Sequence, residues 1–268
     1  FVDHTHANAV LALTDLTDGD SICSRVYGER APLVPYIMPG FSLAKKALEV
    51  YRANPECQGL ILLKHGIFSF GETARESYER MINLVSLAET RLGVGGVEAG
   101  RVALPKVLAR PAEIAPILRG KCAPLSSDGG YRHLIATYRT NEIIKAYVDG
   151  KALPRYSQAG PVTPDHVIRT KPKPLIVPPP EAAKLNLWTE EVEKRLASYQ
   201  TEYRSYFDRH NKRLKKTKTA LDSMPRVVLV RGLGLFGFGD SITTASIAAD
   251  LAENTISVVS ASERLGKF

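Results

Sequence analysis

Apolar residues in this chain fall into short continuous runs, separated by stretches where they recur every three to four positions. That pattern predicts strands alternating with helices. Phe1 and Val2, with Val10, Leu11 and Leu13 behind them, predict a strand running into a short helical turn over residues 1 to 14. Residues 15 to 40 read as loop, ending in Pro35-Tyr36-Ile37-Met38-Pro39-Gly40. A helix is expected from about Ser42, a plausible N-cap, to Arg52. Leu60-Ile61-Leu62-Leu63 predicts a second strand over 59 to 64. The glycine-bearing stretch through Phe68-Ser69-Phe70-Gly71 then reads as a strand-to-helix turn. Thr73 and Glu76 form a capping box for a helix to about Arg91, whose apolar positions are Tyr78, Met81, Ile82, Leu84, Val85 and Ala88.

The second half is less regular. Residues 93 to 130 are rich in Gly, Pro and Ala and predict a connector with one short helix. Ile135, Tyr138, Ile143 and Val148 predict a helix near 131 to 149. Prolines crowd residues 154 to 180, which predicts extended chain with one strand, Leu175-Ile176-Val177. A long helix is expected over about 187 to 216, then a strand over 226 to 230, a glycine loop, and a last helix over about 241 to 262.

A weak internal repeat connects the halves. Leu62-Leu63-Lys64-His65-Gly66-Ile67-Phe68-Ser69-Phe70-Gly71 and Leu229-Val230-Arg231-Gly232-Leu233-Gly234-Leu235-Phe236-Gly237-Phe238-Gly239 share a pattern. Each runs apolar strand, basic residue, glycine, Phe-x-Phe-Gly. Val2-Asp3-His4-Thr5-His6 is echoed by Pro164-Asp165-His166-Val167-Ile168, with Ile168 where His6 stands and a glycine where His65 stands. The expected organisation is a first lobe over 1–110 and a second, metal-free lobe of the same architecture over 111–268.

Composition narrows the class. The 268 residues are 44% hydrophobic, ordinary for a globular protein, and no apolar run approaches the length that spans a membrane. The three cysteines, Cys23, Cys57 and Cys122, are scattered and fit a reducing cytoplasm better than a disulfide framework. The net charge of +8 is concentrated in the run from Arg209 to Lys218. That run reads as a solvated helix end, where cations meet the negative end of the helix dipole, so no nucleic-acid partner is expected. The chain starts with Phe1 in a core-like strand and carries no signal-peptide pattern, so a preceding segment is expected to be missing.

The chemistry lies in three histidines. Side chains at i and i+2 of a strand share a face, so His4 and His6 can point at one spot. His65, in Lys-His-Gly, would end the second strand. Three imidazoles with one open position form the ligand set of a catalytic zinc site. The rival reading is a pair of core histidines, each needing its own buried partner. Positions 8 and 9, Asn and Ala, do not continue the His-x-His-x-Asp-His pattern of two-metal hydrolases. Gly232-x-Gly234-x-x-Gly237 matches a dinucleotide fingerprint. No second strand with a terminal acid follows it, so nucleotide binding is not expected.

Phe-Val-Asp-His-Thr-His-Ala-Asn-Ala-Val and Lys-His-Gly-Ile-Phe-Ser-Phe-Gly-Glu-Thr resemble the class II aldolase/adducin family. Gly160-Pro-Val-Thr-Pro-Asp-His-Val-Ile-Arg-Thr-Lys and Gly232-Leu-Gly-Leu-Phe-Gly-Phe-Gly resemble its long branch, the bifunctional rhamnulose-1-phosphate aldolase/short-chain alcohol dehydrogenases. The resemblance implies an α/β fold of three layers, α/β/α, around a mostly antiparallel sheet. It implies that His4, His6 and His65 hold Zn2+ or another divalent metal. Tyr36, in Val-Pro-Tyr-x-x-x-Gly, is similar to the family's proton-donating loop tyrosine, often supplied across a subunit interface in a homo-oligomer.

The implied activity is that of a lyase. It would cleave a ketose 1-phosphate, rhamnulose 1-phosphate first, to dihydroxyacetone phosphate and lactaldehyde in carbohydrate catabolism. The family's phosphate loop and catalytic glutamate would precede Phe1 and its dehydrogenase part would follow Phe268, so residues 1–268 alone are expected to be incomplete. Glu29 and Asp3 are the available carboxylates for a base, without a motif to support either. Two alternatives stand beside this reading: a sugar-phosphate epimerase with the same metal site, and a non-catalytic interaction module of the adducin type.

Overall fold

The computed structural model describes residues 1–93, 100–125, 129–215 and 217–268. The chain divides into two compact units that interleave in sequence. The first takes residues 1–98, 159–167 and 254–268, and the second takes 99–158 and 168–253. Each holds a four-stranded sheet in a mixed α/β architecture. Among the described residues, no helix is long and apolar enough to cross a membrane.

In the first unit the chain order is β1 (Val2–Thr5), α1 (Asn8–Thr14), α2 (Gly19–Tyr27), β2 (Leu33–Val34), α3 (Phe41–Ala53), β3 (Gly59–Leu62), β4 (Gly66–Phe70) and α4 (Ala74–Leu92). The sheet order is β1-β4-β3-β2; β4 runs antiparallel to both its neighbours, while β2 and β3 are parallel. Successive side chains of a strand face opposite sides, and that alternation builds the layers. Ile61 and Ile67 pack with Val10, Leu13, Ile22, Met81 and Leu84 of α1, α2 and α4. Leu60, Leu62 and Val34 face the other way, against Leu43 of α3, with Phe68 and Phe70 beside them. Each such fully buried side chain contributes about 1.5–3 kcal/mol. Thr73 caps α4 as expected, its hydroxyl accepting from the Glu76 amide at 3.1 Å.

In the second unit the order is α5 (Pro111–Lys121), β5 (Ile135–Arg139), α6 (Glu142–Asp149), α7 (Leu153–Tyr156), α8 (His166–Thr170, entered from the first unit), β6 (Leu175–Val177), α9 (Leu185–Arg213), β7 (Val227–Val230), β8 (Gly234–Gly239) and α10 (Ile242–Ser262, which belongs to the first unit from Asn254 on). Its sheet order is β5-β8-β7-β6, again with one parallel pair, β6 and β7. Val228, Val230, Phe236 and Phe238 meet Trp188, Val192 and Leu196 of α9 on one face. On the other, Gly237 lets α10 approach so closely that a Cβ there would lie 2.6 Å from the Ala245 carbonyl.

The repeat is real in topology, and its register differs from the one the sequence suggests. Leu60 pairs with Phe68 and Leu62 with Gly66, as Val228 pairs with Phe236 and Val230 with Gly234. The left-handed turn residue is Lys64 (φ 58°) in the first hairpin and Gly232 (φ 82°) in the second. Leu233, not a glycine, therefore stands where His65 stands. The counterpart of β1 is β5, so Tyr138 answers His4 and Thr140 answers His6. Pro164–Ile168 is not that counterpart; residues 159–167 belong to the first unit.

Other expectations are corrected locally. The loop over 15 to 40 contains α2, whose Ile22, Cys23, Val26 and Tyr27 form a helical stripe hidden among Asp, Gly and Ser. The helix over 131 to 149 is a strand followed by a helix, because Asn141 interrupts it by capping α6 through its side chain to the Ile144 amide. Neither Phe-x-Phe-Gly stretch is a strand-to-helix turn, since each lies in the second strand of a hairpin, β4 or β8. The long basic helix ends at Arg213, with His210, Lys212 and Arg213 in its last turn. Its expected last residue, Lys216, and residues 94–99 and 126–128 of the connector lie outside the described residues.

Candidate metal centre

His4 sits on β1 opposite Phe68, and their rings lie 4.6 Å apart. His6 follows one residue beyond the end of β1, and His65 ends the tight turn between β3 and β4. A non-glycine residue with positive φ, Lys64, makes that turn and aims the next side chain back at the edge of β1. Gly66 keeps the approach open. A Cβ there would lie 2.5 Å from the Thr5 carbonyl, 2.9 Å from His6 Cδ2 and 3.3 Å from His4 Cε1.

The three imidazoles converge. Ring centroids are 5.0 Å apart for His4–His6, 5.3 Å for His4–His65 and 5.0 Å for His6–His65. One nitrogen from each lies within 4.8 Å of the others. Among the described residues they form the one group of three or more side chains able to share a metal ion.

The donor set fits a divalent cation on three counts. His4 Nδ1 is 2.9 Å from the Ile67 carbonyl oxygen. An oxygen of that kind only accepts, so Nδ1 carries the proton and Nε2 keeps its lone pair, the usual arrangement of a ligating histidine. His65 is buried, and its Nδ1 has no hydrogen-bond partner among the described residues, an unmet cost unless something binds it. Burial, then the neighbouring imidazoles, lowers His6 and His65 below the ordinary histidine range. Both are thus neutral at pH 7, the form that ligates.

Tyr36 lies on the loop after β2, half exposed. β2 is parallel to β3, and the Val34 carbonyl accepts from the Leu63 amide at 3.0 Å. Tyr36 therefore leaves the sheet at the end that carries His65, but from the strand at the far edge from β1.

Two residues near the histidines were read in the sequence only as a faded echo. Asp165 Oδ2 is 3.8 Å from His6 Nε2. His166 opens α8, is buried, and is lowered by desolvation and then by His6. The signal available was an acid–histidine pair in a proline-rich stretch that had no other reason to hold one.

In the second unit the matching positions are closed by hydrogen bonds. The Tyr138 hydroxyl donates to the Leu233 carbonyl at 2.8 Å, and the Thr140 hydroxyl donates to the same oxygen at 2.7 Å.

A paired fold of this kind, with a histidine triad on the edge of the first sheet, defines a class II aldolase architecture. The model of the class II aldolase and adducin N-terminal domain matches residues 1–92, and that of the aldolase class II second domain matches residues 109–268. The chain belongs to the class II aldolase family. It is 29% identical over 276 residues to the uncharacterized oxidoreductase YuxG of Bacillus subtilis (strain 168), covering 100% of this chain and 39% of that protein. A solved N-terminal class II aldolase domain of a conserved protein from Thermoplasma acidophilum is 39% identical over 34% of this chain and 42% of its own, with a TM-score of 0.31. The chain thus spans 39% of the length of YuxG, and the structural match covers 42% of the Thermoplasma chain.

Proposed function

We propose that this chain is the metal-binding part of a lyase that splits a ketose 1-phosphate between C3 and C4. Rhamnulose 1-phosphate, giving dihydroxyacetone phosphate and lactaldehyde, is the substrate favoured by the motifs around His4, His65 and Gly160. The observation that carries the reading is the convergence of His4, His6 and His65 at one point.

In the cleavage the C4 hydroxyl loses a proton, the C3–C4 bond breaks, and its electron pair stays with the C3 fragment, which then takes up a proton. A divalent cation bound by the three histidines would supply the positive charge that stabilises the anionic fragment. The remaining work falls to the chain. The Ile67 carbonyl fixes the His4 tautomer. Phe68 makes one wall of the site apolar. Tyr36 is proposed as a proton donor; its exposure suits supply to a neighbouring copy in a homo-oligomer. YuxG carries an oxidoreductase name, which suits a longer polypeptide with a dehydrogenase part. A cytoplasmic location is part of the same reading, supported by three free, buried cysteines.

The test is an aldol-cleavage assay on the full-length protein, with release of dihydroxyacetone phosphate measured across a panel of ketose 1-phosphates. Cleavage that is lost in His65→Ala supports the reading. Metal-loaded protein that cleaves no ketose 1-phosphate contradicts it.

A further inference from the structure

The segment 159–167 falls within the stretch matched by the second-domain model, yet it packs as part of the first unit. It brings one carboxylate, Asp165, to the histidine centre. We propose that Asp165 is a fourth protein group of that centre and helps hold the cation beside His6. The inference rests on reading the triad as a metal site.

The observation behind it is the 3.8 Å approach of Asp165 Oδ2 to His6 Nε2. It is too long for a hydrogen bond. It is not a rewarding ion pair either, because the two side chains are 29% and 59% exposed and water screens such a pair. An exposed carboxylate gains little from an imidazole at that distance and is solvated at least as well facing water. A cation between them changes the balance. With bond lengths of about 2.0–2.2 Å, a ligating carboxylate oxygen and imidazole nitrogen lie about 3.4 Å apart, close to the separation already present. An exposed aspartate needs only a small side-chain rotation to close the difference.

Two further features fit. His166 is buried, and its amide donates to the Thr163 carbonyl at 3.3 Å, which anchors the segment directly behind Asp165. A three-imidazole set also leaves the full 2+ charge uncompensated, and a carboxylate offsets part of it.

The experiment is chelator-competition titration of the full-length protein with Co2+, read as affinity and as the d–d absorption of the bound ion. Wild type, Asp165→Asn, Asp165→Glu and His6→Ala are compared, with metal-free melting temperatures as a control on folding. Asp165→Asn is expected to bind ten- to hundredfold more weakly and to change the d–d spectrum, with its metal-free melting temperature unchanged. Asp165→Glu should recover part of both. If Asp165→Asn keeps wild-type affinity and spectrum while His6→Ala loses the ion, the role of Asp165 is refuted and the histidine centre stands. If wild type binds no Co2+, both fail.

Discussion

His4 and Tyr138 occupy the same place in their respective sheets. His4 pairs with Phe68 on β4, and Tyr138 pairs with Phe236 on β8. Around His4 the neighbouring positions carry two more imidazoles. Around Tyr138 they carry Thr140 and Leu233, and both hydroxyls are spent on the Leu233 carbonyl. One scaffold thus presents converging lone pairs in one copy and an internally satisfied set in the other.

Replacing Tyr138 by Phe and Thr140 by Val removes both donors to the Leu233 carbonyl. The double variant should lose about 1–3 kcal/mol of stability and keep its metal stoichiometry. Urea unfolding with parallel metal analysis checks both. Loss of bound metal would mean that the second lobe shares in the site.

Gly66 is the point where the β3–β4 turn meets β1. In Gly66→Ala the added methyl would sit 2.5 Å from the Thr5 carbonyl, a backbone atom that cannot swing away. The variant should lose about 1–3 kcal/mol by overpacking, and its metal affinity should fall because His4 and His6 are displaced together. A stable variant with wild-type affinity would show that the turn has slack the structure does not display.

The glycines of Gly232–Gly239 should bind no dinucleotide. Strand β8 lies between β5 and β7, so its amides are committed to two ladders and cannot cradle a pyrophosphate. Calorimetric titration of residues 1–268 with NAD should give no saturable heat, and a saturable one would overturn this assignment.

Lys171 supplies a pH dependence remote from the histidines. It is 3% exposed, its ammonium lies 4.0 Å from the centre of the Tyr203 ring, and it donates to the Asp222 carbonyl. Burial pulls it down to about 8, partly offset by the Asp222 charge. An unfolded lysine titrates near 10.4. Between these values the unfolded chain keeps a proton that the folded chain has released, so the Lys171 contribution to stability rises with pH from about 8 towards 10, while the thiols of Cys23, Cys57 and Cys122, pushed up by burial, act the other way once the unfolded thiols ionise. The gain is at most about 3 kcal/mol. Above 10 the raised Tyr199 and Tyr203 add to that opposing effect, since the unfolded phenols ionise first. Unfolding of wild type and Lys171→Met across pH 7–10 should diverge in that window; parallel curves would contradict the burial argument.

Elements with a clean period were legible in the sequence. The apolar run Leu60–Leu63, the Thr73–Glu76 cap and the stripe through Met81, Leu84 and Ala88 each lead to the observed strand or helix. β5 was not legible, because Ile135, Tyr138 and Ile143 also fit a helical spacing and only the cap at Asn141 divides them. The histidine triad could be read because a strand period and a strand end are local signals. Asp165 could not be placed, because its proximity to His6 comes from where residues 159–167 pack, and no local period reports that.

The most direct test is metal content. The purified protein, saturated with Zn2+ and freed of loose ions by gel filtration, should hold about one ion per chain by elemental analysis. His65→Ala, with a circular dichroism spectrum matching wild type, should hold close to none. A wild type without metal, or a folded His65→Ala variant that still holds a full equivalent, would contradict the account.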